Sequence, residues 1–383
     1  MELYIHIPFC RQKCRYCAFT SFVGKEAEAE NYVSLILQEA RKSYPDFTEK
    51  IETVYIGGGT PSLLPEKELK RMILELRGLL PMDSITEFTS EANPGAVSEA
   101  WLRTACESGV NRISFGMQAY QPALLALLGR IHQFEDVRRS VSAARNAGIG
   151  NISLDLIFGI PGQTLSDWRE TLDAALSLYP DHISAYGLIP EENTPLYADL
   201  AGGRLSLPEP EQEREMYDVL LDFLSAAGFT QYEISSFARA GRSCRHNIGY
   251  WTQLPYLGLG VSAVSMRLIQ SGPGGMVYER RSNPCTLEGY RRMVLEGLPE
   301  PETERIDEKE SRFETMMLGL RMNRGVSEKT FRRLHGISLE QCYGEKLRAF
   351  EKQGLMQYEN GAWKMTRRGF DLQNTVLVEL MDP

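Results

Sequence analysis

The sequence lacks the features that mark membrane-spanning, secreted and nucleic-acid-binding proteins. No stretch approaches the roughly 20 continuous apolar residues that a membrane-spanning helix needs, and we find no internal repeat and no low-complexity tract. Met1 leads directly into ELYIHIP, without the basic segment and long apolar segment of a signal peptide. The formal net charge of −9 argues against broad affinity for nucleic acid, which needs a net basic face. We therefore expect a cytoplasmic protein without a nucleic-acid ligand, which can still be peripheral at a membrane.

The cysteines form neither a disulfide framework nor a zinc pattern. In a reducing compartment, clustered cysteines serve as metal ligands or catalytic groups more often than as disulfides. Of the seven cysteines, Cys10, Cys14 and Cys17 are clustered with the spacing C-x3-C-x2-C, and no fourth Cys or His stands at the spacing of a structural zinc site. Ferredoxin-type ligation closes a [4Fe–4S] cluster with four cysteines. Three thiolates hold three irons and leave the fourth iron open, so the spacing predicts a reaction site rather than an electron store.

The first half of the chain alternates short β runs with amphipathic helical runs. The predicted strands are Leu3–Ile7, Thr53–Ile56, Ile85–Glu91, Arg112–Phe115, Ile152–Ile157 and His182–Tyr186. The predicted helices between them are Glu28–Ser43, Glu66–Leu80, Ser98–Ser108, Asp136–Ala147 and Leu165–Leu178. This alternation indicates a parallel α/β sheet or barrel, and six units are too few for a complete eight-unit barrel. We predict an α/β fold built on an open, partial (β/α)6 barrel, with its chemistry at the carboxyl ends of the strands.

The pattern changes after Tyr186. A helix at Glu211–Ala227 is followed by a polar segment with CRHNIGYW and by a polar, charged linker near 298–310. The last part combines helices with a hairpin, and it resembles a winged-helix module; its predicted elements are Ser311–Arg321, Ser327–His335, Leu347–Gln353, Met356–Tyr358 and Trp363–Met365. We expect three units, namely the barrel at 1–230, an extension with the linker at 231–305, and a winged-helix-like α+β domain at 306–383.

A glycine-rich turn, YIGGGTP at 55–61, follows the second predicted strand. Glycines let the backbone approach a ligand closely and expose its N–H groups. The turn is not a phosphate loop, because no Gly-Lys-Ser/Thr follows, and it is not the G-x-G-x-x-G dinucleotide fingerprint. A tight turn without function is the alternative interpretation.

Four polar residues stand at or just beyond predicted strand ends: Glu91 in TSEANPG, Gln118 in SFGMQAY, Arg130 in LLGRIHQ and Asp155 in LDLIFGIPGQT. Each alone is more typical of a solvated strand end or a helix cap. Because strand ends meet at the barrel mouth, together they indicate a polar site there.

Together these motifs resemble those of two related protein groups. The cysteine spacing, with Tyr16 just before the last cysteine, resembles the radical S-adenosylmethionine (SAM) family, and YIHIPFC, GGGTPS, EANP, FGMQ, LGRIH and DLIFGIPGQT resemble the oxygen-independent coproporphyrinogen III oxidase superfamily. The resemblance covers about 1–300 and extends to the C-terminal unit. It implies a [4Fe–4S] cluster on Cys10, Cys14 and Cys17. It also implies a SAM site, formed by Tyr4, Tyr16, Gly58, Gly59, Thr60, Glu91, Gln118, Arg130 and Asp155.

Two departures separate the chain from the oxidases of that superfamily. The oxidases have a fourth cysteine two residues after the third, and Phe19 stands at that position here. The oxidases also have an extension before the cysteine loop, and this sequence starts almost on the loop. The oxidative decarboxylation of a porphyrinogen is therefore in doubt.

The segment RHNIGYW at 245–251 matches the HNxxYW motif that marks the heme-chaperone branch of the superfamily. By that resemblance His246, Asn247, Tyr250 and Trp251 form a heme motif, with His246 as the iron ligand. Histidine is a common axial ligand of heme, and aromatic rings supply flat apolar surface. The thiolate of Cys244 is an alternative iron ligand, and Arg242 and Arg245 can pair with the heme propionates. The alternative interpretation is that His246 and Asn247 satisfy a turn while the aromatic residues pack in a core.

The leading functional prediction is a heme chaperone that binds heme and passes it to an acceptor protein, which can be membrane-bound. Its cofactors are a [4Fe–4S] cluster, SAM and heme, and it is a monomer or a cluster-dependent dimer. The alternatives are a coproporphyrinogen oxidase, another radical SAM enzyme acting on a tetrapyrrole, or a DNA-binding regulator that uses the C-terminal unit. The acidic net charge weighs against the regulator.

Overall fold

The structure is a computed structural model that describes residues 1–43, 47, 49–271 and 275–381. The strands are β1 (Glu2–Ile7), β2 (Phe9–Cys10), β3 (Phe22–Val23), β4 (Thr53–Gly58), β5 (Glu87–Ala92), β6 (Arg112–Gln118), β7 (Asn151–Phe158), β8 (His182–Gly187), β9 (Thr230–Glu233), β10 (Ser236–Ala238), β11 (Tyr256–Leu259), β12 (Val264–Ser271), β13 (Gly275–Ser282), β14 (Glu302–Ile306), β15 (Val326–Ser327), β16 (Met356–Glu359) and β17 (Ala362–Met365).

The helices are α1 (Ala29–Ser43), α2 (Glu66–Leu79), α3 (Glu99–Glu107), α4 (Pro122–Leu127), α5 (Phe134–Asn146), α6 (Leu165–Ser177), α7 (Pro195–Ala201), α8 (Pro210–Ala226), α9 (Arg245–Trp251), α10 (Leu287–Glu296), α11 (Glu308–Gly319), α12 (Glu328–His335), α13 (Leu339–Lys352), α14 (Arg367–Asp371) and α15 (Gln373–Leu380). Several begin at side-chain caps, as at Ser98 of α3 and Thr164 of α6, whose hydroxyl oxygens accept from backbone N–H groups in the first turn.

The main sheet contains the predicted partial barrel. Its strand order is β14-β13-β12-β11-β1-β4-β5-β6-β7-β8-β10-β9. The strands β1, β4, β5, β6, β7 and β8 pair in parallel with their neighbours in this order, and helices stand between them in the chain. The α/β prediction with six parallel strands is confirmed. The sequence pattern did not reveal that β11 pairs in parallel with β1 or that β10 pairs antiparallel with β8.

The barrel strands have one apolar face and one polar face. On β1, Leu3, Ile5 and Ile7 are buried in the hydrophobic core with residues of the surrounding helices. Alternate residues point to the other face of a strand, and on the barrel strands these are largely polar: Glu2, Tyr4, His6, Thr53, Tyr55, Glu87, Thr89, Glu91, Arg112, Ser114, Ser153, Asp155, His182 and Ser184. Hydrogen bonds join them across strands, for example from Ser114 to Asp155 and between Ser153 and His182. The inner face is therefore lined by polar and ionisable side chains.

The prediction of a linker near 298–310 is wrong. β14 lies within it and pairs antiparallel with β13 at the edge of the main sheet, and α11 begins at Glu308. The first four residues of ETERI are exposed and only Ile306 is buried, which is why this edge strand has a polar sequence. The predicted helix Leu347–Gln353 is the last part of α13, which begins at Leu339 behind a capping box on Ser338.

The C-terminal part has a core and a sheet of its own. β15, β17 and β16 form a three-stranded antiparallel sheet. Met316, Phe331, Leu347, Phe350 and Trp363 are buried together in a separate apolar cluster. The predicted hairpin is present as β16 and β17, joined at Asn360–Gly361, where both residues have positive φ. The last two residues of the predicted domain 306–383 lie outside the described residues, and the division into three units stays a prediction.

Among the residues that the structure describes, no helix is long and apolar enough to cross a membrane.

Candidate cluster and ligand site

The three clustered cysteines line one cavity at the carboxyl end of the barrel. The cavity has a volume of about 430 Å³, and Cys10, Cys14 and Cys17 all contribute to its wall. Cys10 ends β2, and the N–H of Cys17 donates to the carbonyl of Cys14 at 3.2 Å, which folds the loop back on itself. The predicted location of the chemistry, at the carboxyl ends of the strands, agrees with this cavity.

The glycine turn and the cysteine loop are packed against each other. A Cβ atom at Gly59 would lie 2.8 Å from the carbonyl oxygen of Phe9, and one at Gly58 would lie 2.5 Å from the His6 ring. Gly58 also has a φ of +109°, which glycine tolerates best. Thr60 follows, with its hydroxyl 3.5 Å from Cys10 Sγ. Glycine is therefore needed here so that the turn can approach the cysteine loop.

Arg130 joins the cysteine loop to the strand ends. Its Nη1 lies 3.4 Å from Cys14 Sγ, and its Nη2 donates at 2.8 Å to Asn93 Oδ1 and at 2.8 Å to the carbonyl of Gly116. Asn93 in turn donates to Thr60 Oγ1 at 2.8 Å. Arg130 therefore connects the cysteine loop to the ends of the barrel strands. Asn93 belongs to the EANP motif named above, but the sequence alone does not indicate it as a site residue.

Two half-buried carboxylates face the same cavity. Glu91 accepts from the N–H of Gly58 at 3.1 Å and from the Tyr55 hydroxyl at 2.9 Å, and Asp155 accepts from the Ser114 hydroxyl at 3.0 Å. Burial, together with the Asp155 charge, raises the pKa of Glu91 to about 7, and burial also raises the pKa of Asp155. Because these charges are desolvated and close together, a cationic ligand in the cavity would relieve them.

Gln118 and Arg112 add to the wall from β6. The register of β6 against β7 shifts between Gly116 and Gln118, and Gln118 has a φ of +64°. Such bulges re-aim side chains near functional sites. Arg112 also lines the cavity and is buried, and its Nε has no hydrogen-bond partner among the described residues. Arg112 was missed because it starts a predicted strand, where an arginine usually marks a solvated end.

The cavity brings together nearly all of the residues predicted for the cluster and SAM. Its wall includes Cys10, Cys14, Tyr16, Cys17, Gly58, Gly59, Thr60, Glu91, Gln118, Arg130 and Asp155. Tyr4 is the exception. It does not line the cavity, because its ring stacks on Tyr55 at 6.3 Å and its hydroxyl bonds to His6 Nδ1 at 3.0 Å. Tyr4 therefore supports the wall from behind.

The segment RHNIGYW forms α9, which lies at the opposite, amino end of the barrel. His246 Nδ1 is 2.8 Å from the Thr53 hydroxyl, and Nε2 is 3.0 Å from the Tyr250 hydroxyl. Its ring stacks on Tyr55 at 5.2 Å, and its side chain is buried. Burial, assisted by the charge of Arg112, lowers the pKa of His246 to about 3. Both ring nitrogens are engaged, so binding iron would require one of these hydrogen bonds to break, and His246 as the iron ligand stays a prediction.

The other predicted heme contacts are also occupied, with one exception. Cys244 is fully buried with its thiol against Glu87, and burial raises its pKa to about 12. Arg242 lies 3.5 Å from Asp181 in an ion pair, and Arg245 donates to the Thr86 hydroxyl at 3.2 Å. Tyr250 holds His246, and Trp251 lies under the guanidinium of Arg321. Asn247 alone of the motif reaches the cavity wall. The interpretation of this segment as buried packing, left open above, describes most of it.

Comparison with known proteins gives two matching family models. A model of the radical SAM superfamily matches residues 4–175, and a model of the HemN C-terminal domain matches residues 306–372. The heme chaperone HemW of Bacillus subtilis is 38% identical over 380 residues, which cover 97% of this chain and 97% of that protein. The chain belongs to the HemW family of radical SAM proteins. The heme chaperone HemW of Lactococcus lactis is 34% identical, over 99% of this chain and 96% of that protein.

A solved structure shows the same fold as this member of the HemW family. It is the coproporphyrinogen III oxidase HemN of Escherichia coli, with a TM-score of 0.81, 22% sequence identity and coverage of 100% of this chain and 89% of that one. At this identity the likeness concerns the fold. Membership of the radical SAM superfamily implies a [4Fe–4S] cluster and SAM.

The residues of the cavity fit that cofactor pair. A cube needs a separate thiolate for each of three irons, so its ligands do not converge on one point. Among the described ranges, no group of three or more Cys, His, Asp or Glu side chains is placed to hold one metal ion. The three thiols border one cavity beside Arg130, which suits a cluster. The desolvated carboxylates Glu91 and Asp155 face the same space, which suits a ligand with an ammonium and a sulfonium group.

Proposed function

We propose that this protein is a heme chaperone, which binds heme and transfers it to an acceptor protein. The observation that carries the proposal is the match over 97% of both chains to a protein named as a heme chaperone. A match of that length includes the barrel, α9 and the C-terminal unit together, whereas a shared barrel alone would indicate only the superfamily.

We infer that Cys10, Cys14 and Cys17 bind three irons of the cluster and that the fourth iron is open to SAM. Tyr16, Gly58, Gly59 and Thr60 border the cysteine loop, and Glu91, Gln118, Arg130 and Asp155 complete the wall. Bound SAM supplies a methionine ammonium and carboxylate, which fit Glu91 and Arg130 respectively. Tyr4 acts through Tyr55, on which it stacks.

The position of Phe19 favours a chaperone over an oxidase. Its side chain is 69% exposed at the edge of the cavity, where the oxidases of the superfamily have a fourth cysteine. An apolar ring there cannot bind a metal or a second cofactor as a thiolate does. Oxidase activity is therefore the alternative function, and the experiment below tests for it.

We propose a cytoplasmic location and a protein acceptor that can be membrane-bound, so that membrane contact is made through the acceptor. The net charge of −9 supports the absence of a nucleic-acid ligand. The protein is proposed to be a monomer, or a dimer when the cluster is present.

The test is a heme titration of the anaerobically reconstituted protein, followed by transfer to apomyoglobin as a probe acceptor. We expect saturable heme binding in absorption spectra and faster transfer with the cluster than in a variant with Cys10, Cys14 and Cys17 all changed to Ala. Coproporphyrinogen III, SAM and a reductant are supplied in a parallel anaerobic reaction. Formation of protoporphyrinogen, or a failure of the wild-type protein to bind heme, would overturn the proposal.

A further inference from the structure

We propose that Tyr55 is a positioning residue that couples the SAM site to His246, so that SAM bound at Glu91 weakens the binding of heme to α9. This inference rests on the proposed function and on His246 as the iron ligand. It gives a role to a side chain that belongs to neither predicted ligand set. Tyr55 begins the segment YIGGGTP of the glycine turn, and it lines the cavity.

Tyr55 contacts both sites directly. Its hydroxyl donates to Glu91 Oε1 at 2.9 Å, and Glu91 also lines the cavity. Its ring stacks on the His246 ring, with 5.2 Å between the ring centres and 28° between the ring planes. One side chain therefore joins the carboxylate that faces SAM to the imidazole of the heme motif.

The absence of a side chain at Gly57 lets the phenol reach the carboxylate. A Cβ atom at Gly57 would lie 2.9 Å from Tyr55 Cε1 and 3.1 Å from Glu91 Oε1. The N–H of Gly58 donates to the other oxygen, Glu91 Oε2, at 3.1 Å. Both oxygens of Glu91 are therefore held by β4, and the Tyr55 ring is held in turn by Glu91.

Heme binding requires His246 to move away from this position. Its side chain is 1% exposed, and its two ring nitrogens are bonded to Thr53 and Tyr250 at 2.8 and 3.0 Å. When the imidazole turns toward an iron, it leaves a space beside Tyr55, and an empty space in a packed interior costs free energy unless a neighbour fills it. Tyr55 can follow His246 into that space only if its hydroxyl leaves Glu91.

Bound SAM opposes this movement through the charge of Glu91. Burial and the Asp155 charge raise the pKa of Glu91 to about 7, so the empty site holds a mixture of the neutral and ionised forms near neutral pH. With the SAM ammonium against it, Glu91 stays ionised, and a hydrogen bond to an ionised group is about twice as strong as a neutral one. Tyr55 is then held more firmly, and His246 is less free to turn. SAM binding thereby favours the release of heme, and heme weakens SAM binding by the same factor.

The test measures the heme affinity of the anaerobically reconstituted protein with and without SAM. Ferric heme is titrated and read from difference absorption spectra, and no reductant is added, so that SAM is not cleaved. We expect saturating SAM to lower the heme affinity of the wild type about fivefold or more. In Tyr55→Phe, which keeps the ring and removes the hydroxyl, we expect SAM to change the heme affinity by less than twofold. Equilibrium dialysis measures whether the variant still binds SAM.

The matched control is Tyr290→Phe. The Tyr290 hydroxyl donates to Glu39 Oε2 at 2.6 Å, and both side chains are buried. This variant also removes a hydroxyl that is bonded to a carboxylate, but neither Tyr290 nor Glu39 lines the cavity. It is expected to keep the full effect of SAM on heme affinity.

The inference is overturned if SAM changes the heme affinity of the wild type by less than twofold, or if Tyr55→Phe keeps the wild-type effect. Loss of the effect in Tyr290→Phe also overturns it, as does an unchanged heme spectrum in His246→Ala, because Tyr55 would then not contact the iron ligand. If Tyr55→Phe takes up no cluster or no SAM, Gly57→Ala decides, because its added Cβ separates the phenol from Glu91 and should abolish the effect. A wild-type protein that binds no heme refutes the proposed function instead.

Discussion

At the residue scale, His246 has a protonation state that its surroundings define. The Thr53 hydroxyl donates to Glu2 Oε1 at 3.3 Å, so Thr53 accepts from His246 Nδ1–H, and Nε2 accepts from the Tyr250 hydroxyl. A proton on Nε2 would break the second bond and place a charge near buried Arg112. The ring is therefore neutral in the folded protein, with its pKa lowered to about 3.

This lowered pKa predicts a loss of stability in acid. The unfolded chain protonates His246 below its ordinary pKa of about 6.5, while the folded protein does not until about pH 3. The free energy of unfolding contributed by His246 is therefore present above pH 6.5 and falls as the pH drops from 6.5 toward 3, by at most about 1.4 kcal/mol per pH unit. We expect His246→Gln to lose less stability than the wild type between pH 7 and pH 5.

Denaturant unfolding at both pH values measures the effect, with wild type and variant in the same cluster state. Contributions from other groups, including buried His182, cancel in the difference between the two proteins. Identical pH dependence in wild type and variant would show that His246 is not held neutral.

At the element scale, α9 sits on the start of β1 because Gly249 has no side chain. A Cβ atom at Gly249 would lie 1.7 Å from Glu2 Oε1. Glu2 is buried, and burial raises its pKa to about 9. Its side chain is hydrogen-bonded to Thr53, so moving it away from a new Cβ atom would break that hydrogen bond. We expect Gly249→Ala to lower the free energy of unfolding by about 1–3 kcal/mol or more, through overpacking.

Gly78 is the matched control, because it lies on α2 with open space around its Cβ position. There alanine should raise stability by about 0.5–1 kcal/mol through helix propensity. Thermal unfolding of both variants tests the pair. A Gly249→Ala protein as stable as the Gly78→Ala protein would mean that α9 does not pack on β1 as described.

The elements that the sequence predicts are those with local signals. The six barrel strands have apolar runs, α5, α6 and α13 have capping boxes, and the cysteine and glycine motifs locate the cavity at the strand ends. α9 has no such signal. Its N-terminal N–H groups at Arg245 and His246 donate to Glu87 of β5, 158 and 159 residues away, at 2.8 and 3.1 Å. β14 was missed for a similar reason, since its pairing with β13 is a tertiary contact.

The heme motif shows the limit of motif reasoning at the same scale. The residue pattern of α9 is that of a ligand set, with an imidazole and two aromatic rings, and only burial and hydrogen bonding show which side they face. Phe19 is the opposite case. The sequence shows that a phenylalanine cannot bind a metal, but only the structure shows that this side chain is exposed at the cavity.

At the scale of the whole molecule, Arg321 fastens the C-terminal unit to the barrel. Its guanidinium lies 4.4 Å from the ring centre of Trp251 on α9, and its Nη2 donates at 3.1 Å to Glu233 at the end of β9. Its carbonyl accepts from the N–H of Ile234, and the next residue, Met322, forms a β-bridge with Glu233. Because α9 also supplies Asn247 to the cavity wall, one short helix contacts both the ligand site and the C-terminal unit.

Removing the Arg321 charge should loosen that junction. Glu233 is only 2% exposed, so Arg321→Met leaves a buried carboxylate without its partner, and we expect the free energy of unfolding to fall by about 1–3 kcal/mol. Hydrogen exchange should rise in α9, β9 and the end of α11 before it rises in the barrel strands. The double variant Glu233→Gln/Arg321→Met removes the stranded charge and should recover most of the loss. If the double variant is no more stable than Arg321→Met, the stacking on Trp251, and not the ion pair, fastens the C-terminal unit to α9.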